Sequence, residues 1–323
     1  MQTEPFIKVK TKSVVSLEKL SEEYSIAPEE IRKFHNEHCA VHEILPETLP
    51  KFVEYIYLPA HSVKKRQQSL LQTPALELPN KISKKKYGVI IRFPNRDLQI
   101  HYTITVSRLS GGIIEIQKDK TWVNNEEVDR QIEKLAEAAS EAVYPLQVST
   151  QSNGALNKII NHKDISGRFK NDIYPKLRQY YVGNVADEIL GKLTRSFDQL
   201  GSNCGFLRKN SFFNLYFQPV YRFYSSFKIT QNFSFYFPKA DIMADYDAEF
   251  TLDKEFTRSN KVAMRIEGEE SESFFSRHKK RGKVDLLYKF HRDNNEIFSI
   301  TGSITCFERE TEHITQFEMF ELN

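Results

Sequence analysis

Apolar positions change period along this chain, and the changes mark out its elements. Leu17, Leu20 and Tyr24, then Ile31 and Phe34, recur three or four residues apart, which is the period of helices with one apolar face. Ser16 is placed to cap the first helix. Pro28 fits the first turn of the second, where Glu29 and Glu30 meet its positive end. Short strand patterns flank the pair, FIKVK before it and YIYLP after it, so residues 6–59 read as strand, helix, helix, strand.

From Ala60 to Lys86 the periodicity stops. Basic clusters, glutamines and two prolines take over, and residues 61–86 read as a linker between a module at 1–60 and a domain at 87–323. Beyond the linker, YGVIIRF, DLQIHYTITVS and GGIIEIQ have strand patterns broken by turn residues. A helix follows with Val128, Ile132, Leu135, Ala139 and Val143 on one face and Asn124 or Asn125 as its cap. Two short strands joined at Asn153-Gly154 come next. Two helices then run from Asp164 to Leu200, the first kinked by Pro175. From Phe206 to the C-terminus the pattern is strand-like throughout. Strands, then helices, then strands with short connections predict an α+β fold built on a large antiparallel sheet with packed helices.

Composition narrows the function. Forty-six basic and 43 acidic residues leave a net charge of +3, a balanced surface that makes no case for nucleic acid. Cys39, Cys204 and Cys306 are odd in number and far apart, which suits a reducing compartment rather than a disulfide framework. No apolar run reaches the length of a membrane span, and the opening MQTEPFIKVK lacks the apolar core of a secretory signal. A cytoplasmic protein without a membrane span is the expectation.

Candidate chemistry is sparse. His35, His38, Cys39 and His42 are metal-ligand types, but they straddle the end of a helix with no second group to close a tetrahedral site, so they read as loop and surface residues and no metal is expected. Asp245, Asp247 and Glu249 alternate along a strand and read as its solvated face. The basic SRHKKRGK at 276–283 follows an acidic run and reads as a solvated loop. There is no glycine-rich phosphate loop, nucleophile elbow or His-Glu-x-x-His pattern, and neither an enzyme nor a cofactor is expected. The densest feature is aromatic: residues 206–237 hold thirteen Phe and Tyr side chains. These form either a core between covered sheet faces or a groove for an apolar partner. In the groove reading, Tyr216, Tyr221 and Tyr224 are the partner-binding candidates, because tyrosine tolerates a wet edge.

The N-terminal module resembles a LysM domain through Lys8-Val9-Lys10, Ser16-Leu17 before Leu20, Tyr24-Ser25-Ile26, Glu29-Glu30-Ile31, Asn36 and Tyr55-Ile56-Tyr57-Leu58-Pro59. That resemblance implies a βααβ fold whose groove would be lined by Ser13, Val14 and Asn36. The family's Gly-Asp-Thr before the first helix is replaced here by Lys12-Ser13-Val14-Val15, which weakens the expectation of peptidoglycan binding. LysM-like domains also occur in contractile injection machines. By analogy the resemblance implies an adaptor or chaperone of a type VI-like secretion apparatus, with a secretion spike or a cargo effector as protein partner. The alternative is an envelope protein that binds peptidoglycan through the module.

Overall fold

The computed structural model describes residues 6–11, 16–46, 53–201, 203–271 and 280–322, with backbone alone at 65–67. The chain forms two compact units. One gathers the residues up to Thr73 together with Lys254–Phe256, and the other holds Pro74–Asp253 and the remainder from Thr257.

The first unit contains β1 (Phe6–Lys10), α1 (Leu17–Tyr24), α2 (Pro28–His38), β2 (Tyr55–Pro59) and α3 (Ala60–Ser69). The two strands pair antiparallel, from Phe6 opposite Pro59 to Lys10 opposite Tyr55. Ser16 caps α1, its hydroxyl accepting from the Lys19 N–H at 3.3 Å. Ser25 ends the same helix in the left-handed region, and Pro28 opens α2. Leu17, Leu20, Ile31, Leu45, Ile56 and Leu58 make a continuous core, each aliphatic side chain stabilising by about 1.5–3 kcal/mol when fully buried.

Val63 belongs to that core, which corrects the expectation of a linker over 61–86. Residues 60–69 are helical, and the unit closes at Thr73. The helix is hard to read in the sequence because Ala60 and Val63, both buried, are followed by Lys, Arg and Gln. Beyond α3, the Leu71 N–H donates to the Lys254 carbonyl and the Phe256 N–H to the Ser69 carbonyl, which brings 254–256 into this unit.

The second unit is built on a twelve-stranded antiparallel sheet. Its elements are β3 (Ser83–Phe93), β4 (Leu98–Arg108), β5 (Ile113–Val123), β6 (Glu126–Glu127), α4 (Gln131–Glu141), β7 (Leu146–Thr150), β8 (Leu156–Ile159), α5 (His162–Arg168), α6 (Tyr174–Tyr180), α7 (Asn184–Asp198), α8 (Ser211–Tyr216), β9 (Lys228–Phe237), β10 (Ile242–Leu252), β11 (Lys261–Glu270), β12 (Lys283–His291), β13 (Ile297–Glu308) and β14 (Thr311–Leu322). The strand order is β8-β7-β5-β4-β3-β14-β13-β12-β11-β10-β9, with β6 on β5. Two meanders are therefore joined where the last strand meets the first, Phe317 opposite Ile91. Along β10, Ala244, Tyr246, Ala248, Phe250 and Leu252 are buried while Asp245 and Asp247 face solvent, the alternation of a sheet with one covered face.

Helices α4 to α7 form a second layer with its own core of Leu135, Ala139, Ala142, Phe169, Leu177 and Leu190. The Phe169 and Phe197 rings stack 3.9 Å apart. A π-turn over Phe169–Ile173 separates α5 from α6 directly before Pro175, which is where the kink was expected. Neither Asn124 nor Asn125 caps α4, which starts at Gln131 behind Arg130. Both asparagines instead take positive φ in the turn into β6, the other conformation this residue type favours.

Candidate functional site

The aromatic stretch is the centre of the second unit. Residues 211–216, expected as strand, are the helix α8. The Asn210 side chain caps it, accepting from the N–H groups of Phe212 at 3.0 Å and Phe213 at 3.4 Å. Phe212, Phe213, Leu215 and Tyr216 are all buried, and Asn214 is half-buried. Six residues are too few for a helical period to show among so many aromatics, which is why this sequence resembles a strand.

Hydrogen bonds between side chains and backbone tie this plug to the sheet in both directions. The Tyr288 hydroxyl donates to the Leu215 carbonyl at 2.8 Å, and the Asn214 amide donates to the Ser234 carbonyl at 3.1 Å. Tyr216 and Tyr221 are each 5% exposed and Tyr224 is fully buried. The groove reading placed these three at a wet edge; the structure places them in the core. Tyr224 donates to the Val220 carbonyl at 2.5 Å and sits against the Met264 sulfur. The Tyr221 ring covers Gly154, whose φ of +90° and missing Cβ permit the approach.

Tyr216 and Tyr221 also flank the unit's buried charges. Arg108 Nε lies 3.7 Å from Glu296 Oε1, and both side chains are almost wholly enclosed. The Glu296 carboxylate accepts from the Ser83 hydroxyl and from the Asn294 amide at 2.9 Å. Burial works against the Arg108 charge, but the Glu296 carboxylate beside it favours the charged form, and the guanidinium's pKa is raised. Burial likewise pushes the Tyr216 and Tyr221 phenols up, so both hydroxyls stay neutral. Such an arrangement locks β4 to the start of β13. Sequence reasoning missed it, although Arg108 continues the inward series Tyr102, Ile104 and Val106, an unusual register for a charge.

In the first unit Ser13 and Val14 lie outside the described residues. Asn36 is turned inward: its amide donates to the Leu45 carbonyl at 3.0 Å and its oxygen accepts the Leu45 N–H at 2.7 Å. That double bond pins the loop after α2 and commits both ends of the side chain. His35 is fully buried, its Nδ1 accepting from the Tyr57 N–H at 3.1 Å, so Nε2 carries the proton and donates to the Glu43 carbonyl at 2.9 Å. His38 stacks on Phe34 at 4.3 Å. Among the described residues no group of three His, Cys, Asp or Glu side chains could hold a metal ion. No helix among them is long and apolar enough to cross a membrane.

The helical layer has a different surface. Ile132, Tyr180, Val182 and Val185 are 56%, 68%, 80% and 73% exposed. The Tyr181 hydroxyl donates to the Gln131 carbonyl at 3.1 Å and holds the end of α6 against the start of α4, so all four stand on adjoining ends of the layer. Exposed β-branched and aromatic side chains on adjoining ends make this the candidate contact surface of the second unit. Expected core residue Ile132 is thus part of the outer face.

No family model and no curated protein matches this chain. A solved lipovitellin structure, "Lipid-protein interactions in lipovitellin", is similar over 76% of this chain and 25% of its own, at 9% identity and a TM-score of 0.37. This chain spans about a quarter of that one.

Proposed function

We propose that this chain is a non-enzymatic binding protein of the cytoplasm, an adaptor whose first unit is a LysM-like docking module and whose second unit holds a protein partner. The observation that carries this reading is the exposed apolar group of Ile132, Tyr180, Val182 and Val185 on the helical layer. Free side chains of this kind gain by leaving water, about 25 cal/mol per Å² of apolar surface covered. The strand, helix, helix, strand order of the first unit supports the LysM-like part, and its separate core supports a separate docking role. With the analogy to contractile injection machines, the partner on the patch is a cargo effector and the first unit docks on the secretion spike. Asn36 supports weak rather than strong peptidoglycan binding, because its amide is spent on Leu45.

Affinity purification of the full chain from its native cells, with identification of the co-purifying proteins, tests the reading. A stoichiometric partner that is retained by the chain and lost from a Val182→Ser/Val185→Ser variant supports it. Saturable retention on purified sacculi that depends on the first unit, with no such partner, replaces it with the envelope function.

A further inference from the structure

The twelve-stranded sheet curls. Phe93 at the end of β3 and Phe237 at the end of β9 line one pocket, although five strands lie between β3 and β9 in the sheet order. The pocket is a partly open cleft whose empty space, open solvent included, is about 330 Å³, with Phe93, Phe237, Pro238 and Ile314 as its apolar wall.

Three nitrogen-bearing side chains stand around that wall. His313 on β14 is 7% exposed, and its Nε2 makes no hydrogen bond. The half-exposed Glu308 carboxylate is 3.4 Å away without the alignment a hydrogen bond needs. Arg96 and Lys239 line the same pocket, and among the described residues neither has an ion-pair partner. The nearby Asp241 is already engaged by the Tyr236 hydroxyl at 2.7 Å and by Lys209 at 3.5 Å. A buried imidazole nitrogen left unsatisfied costs free energy that a ligand can recover. Two cations beside it favour an anion, and the wall favours an apolar body next to the charge.

We propose that this pocket binds an apolar residue carrying a free carboxylate, the chemistry of a polypeptide C-terminus ending in a residue such as leucine. The side chain occupies the phenylalanine-lined wall, and the carboxylate meets Arg96, Lys239 and the His313 Nε2–H in place of Glu308. Capture of a terminal carboxylate by convergent donors is an established mode of peptide recognition. The site does not depend on the adaptor reading, since its ligand is defined by the pocket alone.

A fluorescently labelled Gly-Ser peptide ending in leucine, titrated into the full chain and followed by anisotropy, tests it. The free acid is expected to bind at least about tenfold more tightly than the same peptide with a C-terminal amide. Arg96→Ala/Lys239→Ala should lower the affinity by a similar factor with an unchanged melting temperature, since both residues are at the surface. Glu308→Gln, which removes the competing carboxylate, should raise it. Equal binding of acid and amide, or an affinity indifferent to the double variant, would overturn the site. Octanoate displacing the peptide at concentrations below the peptide's own would overturn the terminus as ligand in favour of a free fatty acid.

Discussion

The Tyr288 hydroxyl donates to the Leu215 carbonyl at 2.8 Å, joining the middle of β12 to the last turn of α8 inside the second unit. The last carbonyls of any helix have no partner within it, and a six-residue helix has few others. Burial makes that deficit costly, because no water reaches Leu215. The sheet thus completes the plug, and the plug fills the sheet. Tyr288→Phe keeps the ring and removes the donor. It is expected to lower stability by about 1–3 kcal/mol, read as a shift in the urea midpoint at constant m-value. An unchanged midpoint would mean that the carbonyl finds another donor.

The Arg108 and Glu296 pair gives a sharper contrast. Removing one member strands a buried charge, so Arg108→Ala and Glu296→Ala should each cost about 3–5 kcal/mol. Replacing both with apolar residues of similar volume, Arg108→Met with Glu296→Leu, should recover most of the loss, provided Ser83 and Asn294 can turn to each other or to solvent. Chemical unfolding of the three variants separates the cost of a stranded charge from the net worth of the pair.

How far the sequence reveals this architecture follows from how many faces of each element are covered. Along β10 one face is dry and one is wet, and the period of two is plain in DYDAEFTLD. In α7 the apolar face alone is buried, and the helical period is equally plain. In α8 only Asn214 is part-exposed and six residues are too few for a helical period to show, so SFFNLY reads as strand. Near α3 the difficulty is reversed, since the buried Ala60 and Val63 stand at the head of a polar run. Long-range placement is less legible still. The pairing of β14 with β3 joins residues more than two hundred positions apart, and only that curl brings Phe93 and Phe237 to one pocket. Tyr216, Tyr221 and Tyr224 look the same in sequence at a wet edge or in a core; what decides between them is the cover supplied by α8 and the sheet.

In the first unit Asn36 carries two hydrogen bonds to one backbone residue. Asn36→Ala leaves the Leu45 N–H and carbonyl without partners, and a loss of about 1–3 kcal/mol is expected in that unit. The two units have separate cores, so the second unit's transition should stay where it is. Differential scanning calorimetry resolves the two. A joint shift would show that they unfold together.

Glu321 links charge to pH. Burial opposes its ionisation, but hydrogen bonds from Lys85 at 2.6 Å and His291 at 2.5 Å prevail and hold its carboxyl below the usual range. A carboxyl with a lowered folded-state pKa contributes stability that is present above its unfolded pKa and is lost as pH falls through the folded value. Glu321→Gln should therefore be less stable than the parent near neutrality and approach it in acid. Urea midpoints of both proteins across the acid range test the sign; parallel curves would remove Glu321 from the pH dependence.

The apolar patch on α4, α6 and α7 offers the test that separates binding from folding. Val182 is 80% exposed and Val185 73% exposed, so serine at either position deletes little buried surface and should change stability by no more than about 0.5 kcal/mol. An interface anchor behaves differently: truncating a residue at the centre of a contact commonly costs about 2 kcal/mol or more of binding energy. Val182→Ser/Val185→Ser should then release the partner while leaving the melting temperature in place. Tyr216→Ala is the opposite control, because its ring packs against Phe212 and Tyr87 inside the plug, and its loss should cost about 3–5 kcal/mol. Thermal unfolding and co-purification measured on the same preparations distinguish the two classes. If the valine variants keep the partner in full, the patch is not the docking surface, and the contact must lie on another face of the second unit or on the first.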